Sequence, residues 1–555
     1  MKTSKTLAML LASSMILATL SACGSTDSTT NTGNSNNNTN TNVAEDVDLN
    51  LSGTSPITFP LDEPLTFDFH YHNSDKYVFD ETWPVFEYMA ELTNISLVNV
   101  ANPVSTSTTT ELSLQAFDQF PADLYGGGGN NSDYFREYGP LGAFYSLDDY
   151  MEYLPNYSAY LAENKDVIAS TVSSDGKMYY IPILYNAPLT RVLFIRQDWL
   201  DNLGLEMPTT TEEYEQVLIA FRDDDPNGNG LNDEIPFFCD YWNEMIRLVT
   251  LWDARAYGSS DMTTRITMND DGEMYHTWMT DEFKTGIENI SRWYDMGLID
   301  REIFTKGTAS RKEYIPGDVG GSTRDMIAST SSYHDTVDID GFHFAVMAPP
   351  VTATGNQFEE NGRANVGTNG WAISTSCPEE YVGALFTYMD YFWSEEGWIM
   401  SNFGIEDVDY TMQNGEPIFT DAVLNNPDNK AVNTYLREDV GAQVNIGYLQ
   451  DFRYELQWTH ETGVTGIDMY LAEGYHEVFR MPSLSFEGDD LTNKLSLTSE
   501  INAFLDEKIQ TFIVSDWTLI DGQWDSYITQ LENMGVQDLV DIYTTAYANF
   551  AQYLN

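Results

Sequence analysis

The sequence has few basic residues, few cysteines and none of the short motifs that mark common catalytic sites. Its 555 residues include 26 Lys and Arg against 86 Asp and Glu. Phosphate binding needs clustered cations, so this balance argues against nucleic acid as a partner. Three cysteines are too few for a disulfide framework. Nucleophile-elbow, zinc-protease and phosphate-loop patterns are all missing, and we therefore predict no catalytic residue.

Long apolar runs are also scarce, and the one that stands out lies at the start of the chain. Lys2 and Lys5 precede an apolar stretch over 7–20, which leads into Leu-Ser-Ala-Cys ending at Cys23. A cationic start, a stretch too short for a permanent membrane helix and small residues before a cut site are typical of a signal peptide. We therefore expect residues 1–22 to be removed and to take no part in the fold.

The tetrapeptide ending at Cys23 resembles the lipobox of bacterial lipoproteins. This resemblance implies that Cys23 becomes the first mature residue and carries the acyl chains that hold the protein on a membrane. Residues 24–42 contain only Gly, Ser, Thr and Asn apart from Asp27, which predicts a flexible tether. We place the lipidated cysteine and the tether at 23–58. An ordinary secretory signal with an incidental cysteine is the alternative.

The rest of the chain has the composition of a globular protein, with 42% hydrophobic and 13% aromatic residues over the whole sequence. Its length is enough for two substantial domains. Alternating strand and helix patterns predict an α/β architecture with largely parallel sheets. Strands are predicted at 65–70, 94–98, 178–184, 191–195 and 343–347, and helices at 80–93, 211–222, 379–392, 500–514 and 526–549.

One motif stands above background, an alternation of oxygen-bearing side chains and turn-forming residues over 225–236. A hard cation needs about six or seven oxygens, and one short loop of this kind can supply them. The register that we prefer takes its ligands from Asp225, Asn227, Asn229, the Leu231 carbonyl, Asp233 and Glu234. A second register begins at Asp223 and places Glu234 at the twelfth position. The motif predicts a structural Ca²⁺ site, and a metal-free turn is the alternative.

Several segments carry a family resemblance when they are taken in order. Residues 176–182, 193–200 and 205–214 resemble the first crossing strand and following helix of extracellular solute-binding proteins of ABC importers. The 225–236 loop resembles the calcium loop of oligosaccharide-binding receptors in that group. Residues 370–374 resemble the second crossing strand, and 396–406 resemble a signature of LplA/LipO-like lipoproteins, which are common in Gram-positive bacteria.

The resemblance implies a two-lobe periplasmic-binding-protein-like fold of type II with a hinge between the lobes. Lobe 1 would hold 59–187 and 365–405, and lobe 2 would hold 188–364 and 406–555. The chain would then be a monomeric receptor on the extracellular face of the cell membrane. It would capture an oligosaccharide in the interlobe cleft, deliver it to an ABC permease and catalyse no reaction. Cys239 and Cys377 would lie on different lobes, so we expect two free and mostly buried thiols.

Sugar receptors stack aromatic rings on the C–H faces of pyranoses and bind the hydroxyls with polar side chains. We select candidates by their place at a crossing strand, a strand end or the calcium loop, because most aromatic residues must be core. The predicted ligand contacts are Trp371, Tyr185, Asn186, Trp242, Asp240, Asp123 and Tyr125.

Two other functions remain open at the level of the sequence. The chain could be a surface-anchored glycan-degrading enzyme, since an acidic chain offers many carboxylate pairs. It could also be a receptor of the same fold that binds a peptide or a signalling factor. Product formation from a polysaccharide would identify the enzyme, whereas a receptor leaves its ligand unchanged.

Overall fold

The structure is a computed structural model that describes residues 47–73, 77–189, 191–259, 262–328, 333–360, 363–476, 479–486 and 488–554. The predicted signal, Cys23 and most of the predicted tether lie outside the described residues. Helices and strands alternate along the chain, and the strands form mixed sheets, which confirms the α/β class.

Fifteen strands are found in the described ranges. They are β1 (Leu65–Asn73), β2 (Tyr77–Val78), β3 (Ile95–Asn99), β4 (Leu124–Gly127), β5 (Ile181–Tyr185), β6 (Arg191–Arg196), β7 (Ile235–Phe238), β8 (Ile266–Met268), β9 (Met274–His276), β10 (Gly320–Met326), β11 (Phe344–Met347), β12 (Val366–Ile373), β13 (Tyr410–Gln413), β14 (Glu416–Phe419) and β15 (Leu449–Gln450).

The α-helices of the described ranges lie between the strands along the chain and after the last strand. Their bounds are Pro84–Thr93, Thr108–Phe117, Asn131–Tyr138, Pro155–Glu163, Lys165–Thr171, Gln197–Leu203, Thr211–Asp223, Trp242–Ile246, Asp281–Asp295, Ala309–Tyr314, Tyr333–Thr336, Glu379–Tyr391, Glu395–Phe403, Asp421–Leu424, Val432–Tyr435, Phe452–Leu456, Glu461–Glu473, Gly488–Val514, Ile520–Asn533 and Val536–Ala551. Some helix starts follow directly from the sequence. Thr210 and Glu213, for example, form a capping box at the start of helix 211–223.

Two sheets organise the described chain. The first has seven strands in the order β15-β5-β12-β4-β1-β2, with β3 also paired to β1. The second has four strands in the order β11-β6-β10-β7. The prediction of largely parallel sheets is wrong, because both sheets are mixed. Strand β12 runs antiparallel to β4 and β5, and β6 runs antiparallel to β10 and β11.

The chain passes between the two sheets three times. It leaves the first sheet after β5 and enters the second at β6, returns between β11 and β12, and leaves again after β15. The last passage leads to helix 461–473, which packs on β11. The first passage spans only residues 186–190, so the ends of the two strands lie at most about 22 Å apart. The carboxyl end of β5 and the amino end of β6 therefore lie close together, as in a two-lobe binding-protein fold.

Each sheet has its own large hydrophobic core. The first core contains the β1, β5 and β12 side chains together with residues such as Tyr410, Phe419 and Tyr448. The second contains Trp199, Trp293 and residues of the C-terminal helices. The segment 406–450 packs in the first core, although the sequence-based division placed it in lobe 2. Its hairpin β13–β14 and strand β15 bury their apolar side chains on the first sheet's side.

Two further details differ from the sequence-based expectation. The predicted helix at 526–549 is two helices, because Gly535 has φ 86° and breaks the pattern after Asn533. The helix predicted at 500–514 begins earlier, at Gly488.

The thiols of Cys239 and Cys377 are free and buried, as predicted. Cys239 belongs to the second core and Cys377 to the first.

Candidate functional site

The oxygen-rich loop joins helix 211–223 to β7, and its side chains fold back on its own backbone. The N–H groups of Asn229 and Gly230 donate to the two carboxylate oxygens of Asp225, each at 3.0 Å. The N–H of Asn229 also donates to Asn227 Oδ1 at 2.9 Å, and that of Leu231 donates to Asn229 Oδ1 at 2.6 Å. Positive φ angles at Asp225, Gly228 and Gly230 allow this tight winding.

Glu234 is the part of the loop that the protein alone leaves unsatisfied. Both of its carboxylate oxygens are buried and have no hydrogen-bond partner in the part of the chain that the structure describes. Burial, and the nearby charges of Asp233 and Asp225, raise the pKa of Glu234. A buried, unpaired carboxylate beside two other carboxylates is unfavourable unless a cation joins them. The chemistry of these oxygens therefore fits a hard cation.

The two registers of the loop differ in what happens to Asp223. Both oxygens of this carboxylate accept hydrogen bonds from Arg222, at 2.7 Å each. The register that begins at Asp225 leaves that pair intact, so the contacts favour it over the register that begins at Asp223. Within the described ranges, no group of three or more His, Cys, Asp or Glu side chains is arranged so that it could hold a metal by itself. Any cation site here would need the amide and carbonyl oxygens as well.

Buried charges form a network at the edge of the second sheet where β7 and β10 end and β6 begins. Arg324 donates to Glu244 at 2.6 Å and to Glu359 at 2.5 Å. Arg191 pairs with Glu244 at 2.7 Å, and Arg247 pairs with Glu360 at 2.8 Å. Most of these side chains are almost fully buried, and Arg191 retains some exposure.

Each carboxylate of this network is held by guanidinium groups. Burial by itself would raise the pKa of Glu244, but Arg247, Arg324 and Arg191 together lower it. The group therefore stays ionised and presents a fixed arrangement of charges at the sheet edge. Because β6 follows β5 after five residues, this edge faces the first sheet.

Two predicted ligand residues lie next to this network. Asp240 follows β7 and pairs with Arg311, which also donates to Asp325 at 2.7 Å. Burial raises the pKa of Asp240, and Arg311 opposes this rise. Trp242 begins the next helix, is half-buried and packs its ring against Phe304 at a centroid distance of 5.9 Å.

Two other predicted residues lie at the facing edge, where β5 leaves the first sheet. Tyr185 is half-buried, and the guanidinium of Arg363 lies over its ring at 5.5 Å. Arg363 also donates to Gln450 at 3.1 Å and pairs with Glu455 at 3.3 Å. Asn186 is exposed, and its Oδ1 accepts a hydrogen bond from the Phe452 N–H at 2.8 Å. These contacts tie the first connecting segment to the other two.

The structure contradicts the ligand role of Trp371. Its side chain is fully buried in the first core, where its ring packs edge-on against Phe392 at 5.2 Å and beside Tyr388. The resemblance located the strand β12 correctly, but the side chain points into the helix layer. The indole is therefore a core residue.

Tyr125 and Asp123 are also misplaced by the sequence-based reasoning. Tyr125 is fully buried, stacks on His70 and donates its hydroxyl to Gln115 at 3.0 Å. Asp123 lies before β4, at the end of that strand opposite to the crossing segments, and accepts the Asp68 N–H at 2.9 Å. Both residues stabilise the half of the protein that is built on the first sheet, so neither is accessible to a ligand from the facing edges of the two sheets.

Several charged residues near the facing edges were missed, chiefly Arg324, Arg363 and Arg480. Arg324 offered one signal, since it is a charged residue inside the strand pattern of β10. Nothing in the sequence distinguishes Arg363 or Arg480 from an exposed arginine.

Two adjoining cavities lie where the halves meet. One measures about 440 Å³ and is lined by residues of the 129–137 segment, by Ser259 and Thr264, and by 481–486. The other measures about 520 Å³ and is lined by 364–366 and 479–483, among others. Both volumes lie in the usual range for small-molecule sites. None of the helices in the described ranges is long and apolar enough to cross a membrane.

Comparison with known proteins gives a consistent picture, although no family model matches the chain. The chain is 24% identical over 547 residues to the fructooligosaccharide ABC transporter substrate-binding protein FusA of Streptococcus pneumoniae serotype 4, with 95% of each chain covered. It is 25% identical over 310 residues to the lipoprotein LipO of Bacillus subtilis, which covers 51% of this chain and 55% of LipO.

Solved structures agree with these relatives. The alginate-binding protein AlgQ2, crystallised without calcium ion, has a TM-score of 0.76 and 32% identity, and the match covers 89% of this chain and 100% of AlgQ2. An EF-hand mutant of S. pneumoniae FusA, in complex with fructo-nystose, has a TM-score of 0.69 and 18% identity, with 88% and 99% covered.

Proposed function

Because the chain belongs to the extracellular solute-binding proteins of ABC transporters, we propose that it captures an oligosaccharide between its two halves and delivers it to a permease. The observation that carries this proposal is the triple passage of the chain between the two sheets. Such halves can close around a ligand by a hinge motion. FusA is a fructooligosaccharide-binding relative, which supports a sugar as the cargo.

The facing edges offer the chemistry that a sugar needs. Tyr185 and Trp242 are half-buried aromatic residues, and Asn186 and Asp240 lie beside them in the chain. A half-exposed ring can stack on a pyranose, and the neighbouring polar groups can bind its hydroxyls. We therefore retain Tyr185, Asn186 and Trp242 as proposed ligand contacts and leave out Trp371, Tyr125 and Asp123. Asp240 is left out as well, because its carboxylate is buried and both of its oxygens accept hydrogen bonds from Arg311.

The protein needs no catalytic residues for this role. FusA and AlgQ2 are named as binding proteins, and the chain is accordingly a binding protein and not the glycan-degrading enzyme considered from the sequence. The charge network of Arg324 and Glu244 is saturated by internal ion pairs, so its carboxylates are not free to act as an acid and a base.

We further propose that the loop over 225–234 holds a structural Ca²⁺. Asp225, Asn227, Asn229, the Leu231 carbonyl, Asp233 and Glu234 would supply the oxygens. The bound ion would provide the positive charge that the buried Glu234 carboxylate lacks. The EF-hand mutant of FusA supports a loop of this type in a relative.

The attachment to the membrane is proposed from the sequence and from LipO, which is a lipoprotein. Cys23 would carry the acyl chains, and the tether would let a monomeric receptor reach the permease on the outer face of the membrane. Metabolic labelling with a fatty-acid probe should mark the wild type and fail to mark Cys23→Ser. Labelling that persists in the variant would contradict the anchor.

A thermal-shift screen of the purified protein tests the cargo. The panel contains neutral and acidic oligosaccharides and a peptide library, each with and without calcium. We expect a rise in melting temperature with at least one oligosaccharide, with the ligand recovered unchanged, because ligand binding stabilises the closed form. A response to peptides alone would refute the sugar assignment and favour the peptide receptor. Conversion of the sugar to product would refute the binding role.

A further inference from the structure

Arg480 is a partly buried cation without a counter-ion. Its Nη1 lies inside the protein and makes no hydrogen bond in the ranges that the structure describes, where the side chain also makes no ion pair. In the described ranges, the arginines that are almost fully buried each pair with a carboxylate; these are Arg196, Arg247, Arg265 and Arg324. Arg247 and Arg265, for example, lie 2.8 Å from Glu360 and 2.5 Å from Asp506. Within the same ranges Arg437 has no carboxylate partner either, but its Nε donates to the Gln443 carbonyl at 3.1 Å. In a chain with 86 Asp and Glu against 26 Lys and Arg, an arginine without a carboxylate is unexpected.

The surroundings of Arg480 increase this imbalance. Burial, and the neighbouring charge of Arg363, lower the pKa of Arg480 to about 10, so the group is still charged at neutral pH. Arg363 has partners of its own in Glu455 and Gln450. The protein thus maintains an uncompensated positive charge, which is unfavourable unless a negative ligand joins it.

Arg480 lines the cavity of about 520 Å³ between the two halves. Phe479, Tyr547 and Phe550 supply apolar wall, and His476 and Ser483 supply polar groups. One carboxylate, Asp166, lines the same cavity but makes no ion pair with Arg480. An apolar wall with a polar edge suits a sugar ring, and a guanidinium binds a carboxylate through two parallel hydrogen bonds.

We propose that this cavity binds a carboxylate-bearing sugar unit, with Arg480 as the residue that pairs with the carboxylate. The inference rests on the proposed function, and it adds that the preferred oligosaccharides are acidic. The segment 479–483 and the connecting residues 364–366 both line the cavity, so a bound acidic sugar would contact the region where the halves are joined. A small inorganic anion has similar chemistry and is the other source of negative charge.

The test compares ligands that differ only in charge. Titration calorimetry of the purified protein uses uronic-acid oligosaccharides, the same oligosaccharides after carboxyl reduction, and sodium phosphate and sulfate. We expect the acidic form to bind at least tenfold more tightly than the reduced form. Arg480→Gln should weaken binding of the acidic form by about tenfold to hundredfold and leave the reduced form unchanged. Arg480→Lys should lie between the two, because lysine keeps the charge without the two parallel donors.

Two further measurements separate a ligand role from a structural one. Arg301 is exposed, so Arg301→Gln makes the same change in charge away from the cavity and should bind as the wild type does. Without ligand, Arg480→Gln should melt no lower than the wild type, since it removes an unpaired charge. A clearly lower melting temperature would indicate a structural role and overturn the inference.

The remaining outcomes are equally decisive. Equal binding of acidic and reduced forms would overturn this inference while leaving the proposed function intact. Binding of phosphate or sulfate without any oligosaccharide would also overturn it. If no oligosaccharide of either kind bound, both the inference and the proposed function would fail.

Discussion

We predict that the effect of replacing Glu234 on the stability of the protein depends on calcium. Glu234→Gln keeps the size of the side chain and removes its charge. With calcium present, the variant should be less stable than the wild type, because one of three loop carboxylates no longer contributes to the site. With a chelator present, it should be equally or more stable, because the wild type then holds a buried, unpaired carboxylate near Asp225 and Asp233.

The expected magnitude follows from mass action. A ligand that binds only the native state, at a free concentration of a hundred times its dissociation constant, stabilises that state by about 2.7 kcal/mol. Calcium affinity depends on the number of charged ligands, and a tenfold loss corresponds to about 1.4 kcal/mol. We therefore expect the chelator to cost the wild type about 2.7 kcal/mol and the variant about half of that, under the calcium conditions that give the wild type this occupancy.

The pH dependence of stability in the presence of a chelator is an independent test of the role of Glu234. The pKa of Glu234 is raised in the folded state. Protonated Glu234 therefore contributes fully to stability below the unfolded-state pKa of about 4.3, and this contribution is lost as the pH rises through the folded-state pKa. Relative to Glu234→Gln, the wild type without calcium should therefore become more stable as the pH falls towards about 4.

Urea unfolding with and without a chelator, monitored by tryptophan fluorescence, measures these differences in stability. Glu91→Gln is a matched control, because Glu91 is exposed on helix 84–93, far along the chain from the loop. It should respond to the chelator as the wild type does. A wild type whose stability is insensitive to the chelator would refute the calcium assignment. A Glu234→Gln variant that is equally destabilised with and without calcium would refute the role given to the unpaired carboxylate.

Three further predictions concern buried groups. Trp371→Ala should cost about 3–5 kcal/mol in urea unfolding, because the fully buried indole leaves a large cavity; lost sugar binding at unchanged stability would contradict this. Arg324→Met should cost about 3–5 kcal/mol because Glu359 loses its charged partner, and an unchanged urea midpoint would disprove the network's role. Burial raises the pKa of Asp390 to about 7, so the wild type should gain stability over Asp390→Asn as the pH falls from about 7 to 4, by up to about 4 kcal/mol. Parallel pH profiles of the two proteins would be incompatible with that pKa.

Much of the architecture could be predicted from local patterns. Helix 211–223 has a capping box and an apolar face, and β6 is an almost continuous apolar run, so both were found within a residue or two. The crossing between β5 and β6 followed from the family resemblance. The register and direction of the strands did not, because pairing such as that of Leu184 with Leu449 joins distant parts of the chain. For the same reason the segment 406–450 was assigned to the other half.

The site was only partly predictable. The oxygen-rich loop can be recognised in the sequence because its candidate ligands all come from one short segment. The ligand contacts do not, because a strand alternates its side chains between two faces and one sequence does not say which face meets the cleft. Trp371 illustrates this error, since its strand was located correctly and its side chain faces the core. Charged partners such as Arg324 and Glu359 meet only after folding.

The threefold passage between the sheets also constrains how the protein can be made. The first sheet begins at β1 but is completed only by β15, whose residues 449–450 pair with β5. A growing chain therefore cannot finish its first half until most of the polypeptide has been synthesised. Such long-range pairing slows folding. A slowly folding chain stays extended for longer after it leaves the ribosome, and an extended chain is what the export predicted from the signal peptide would require.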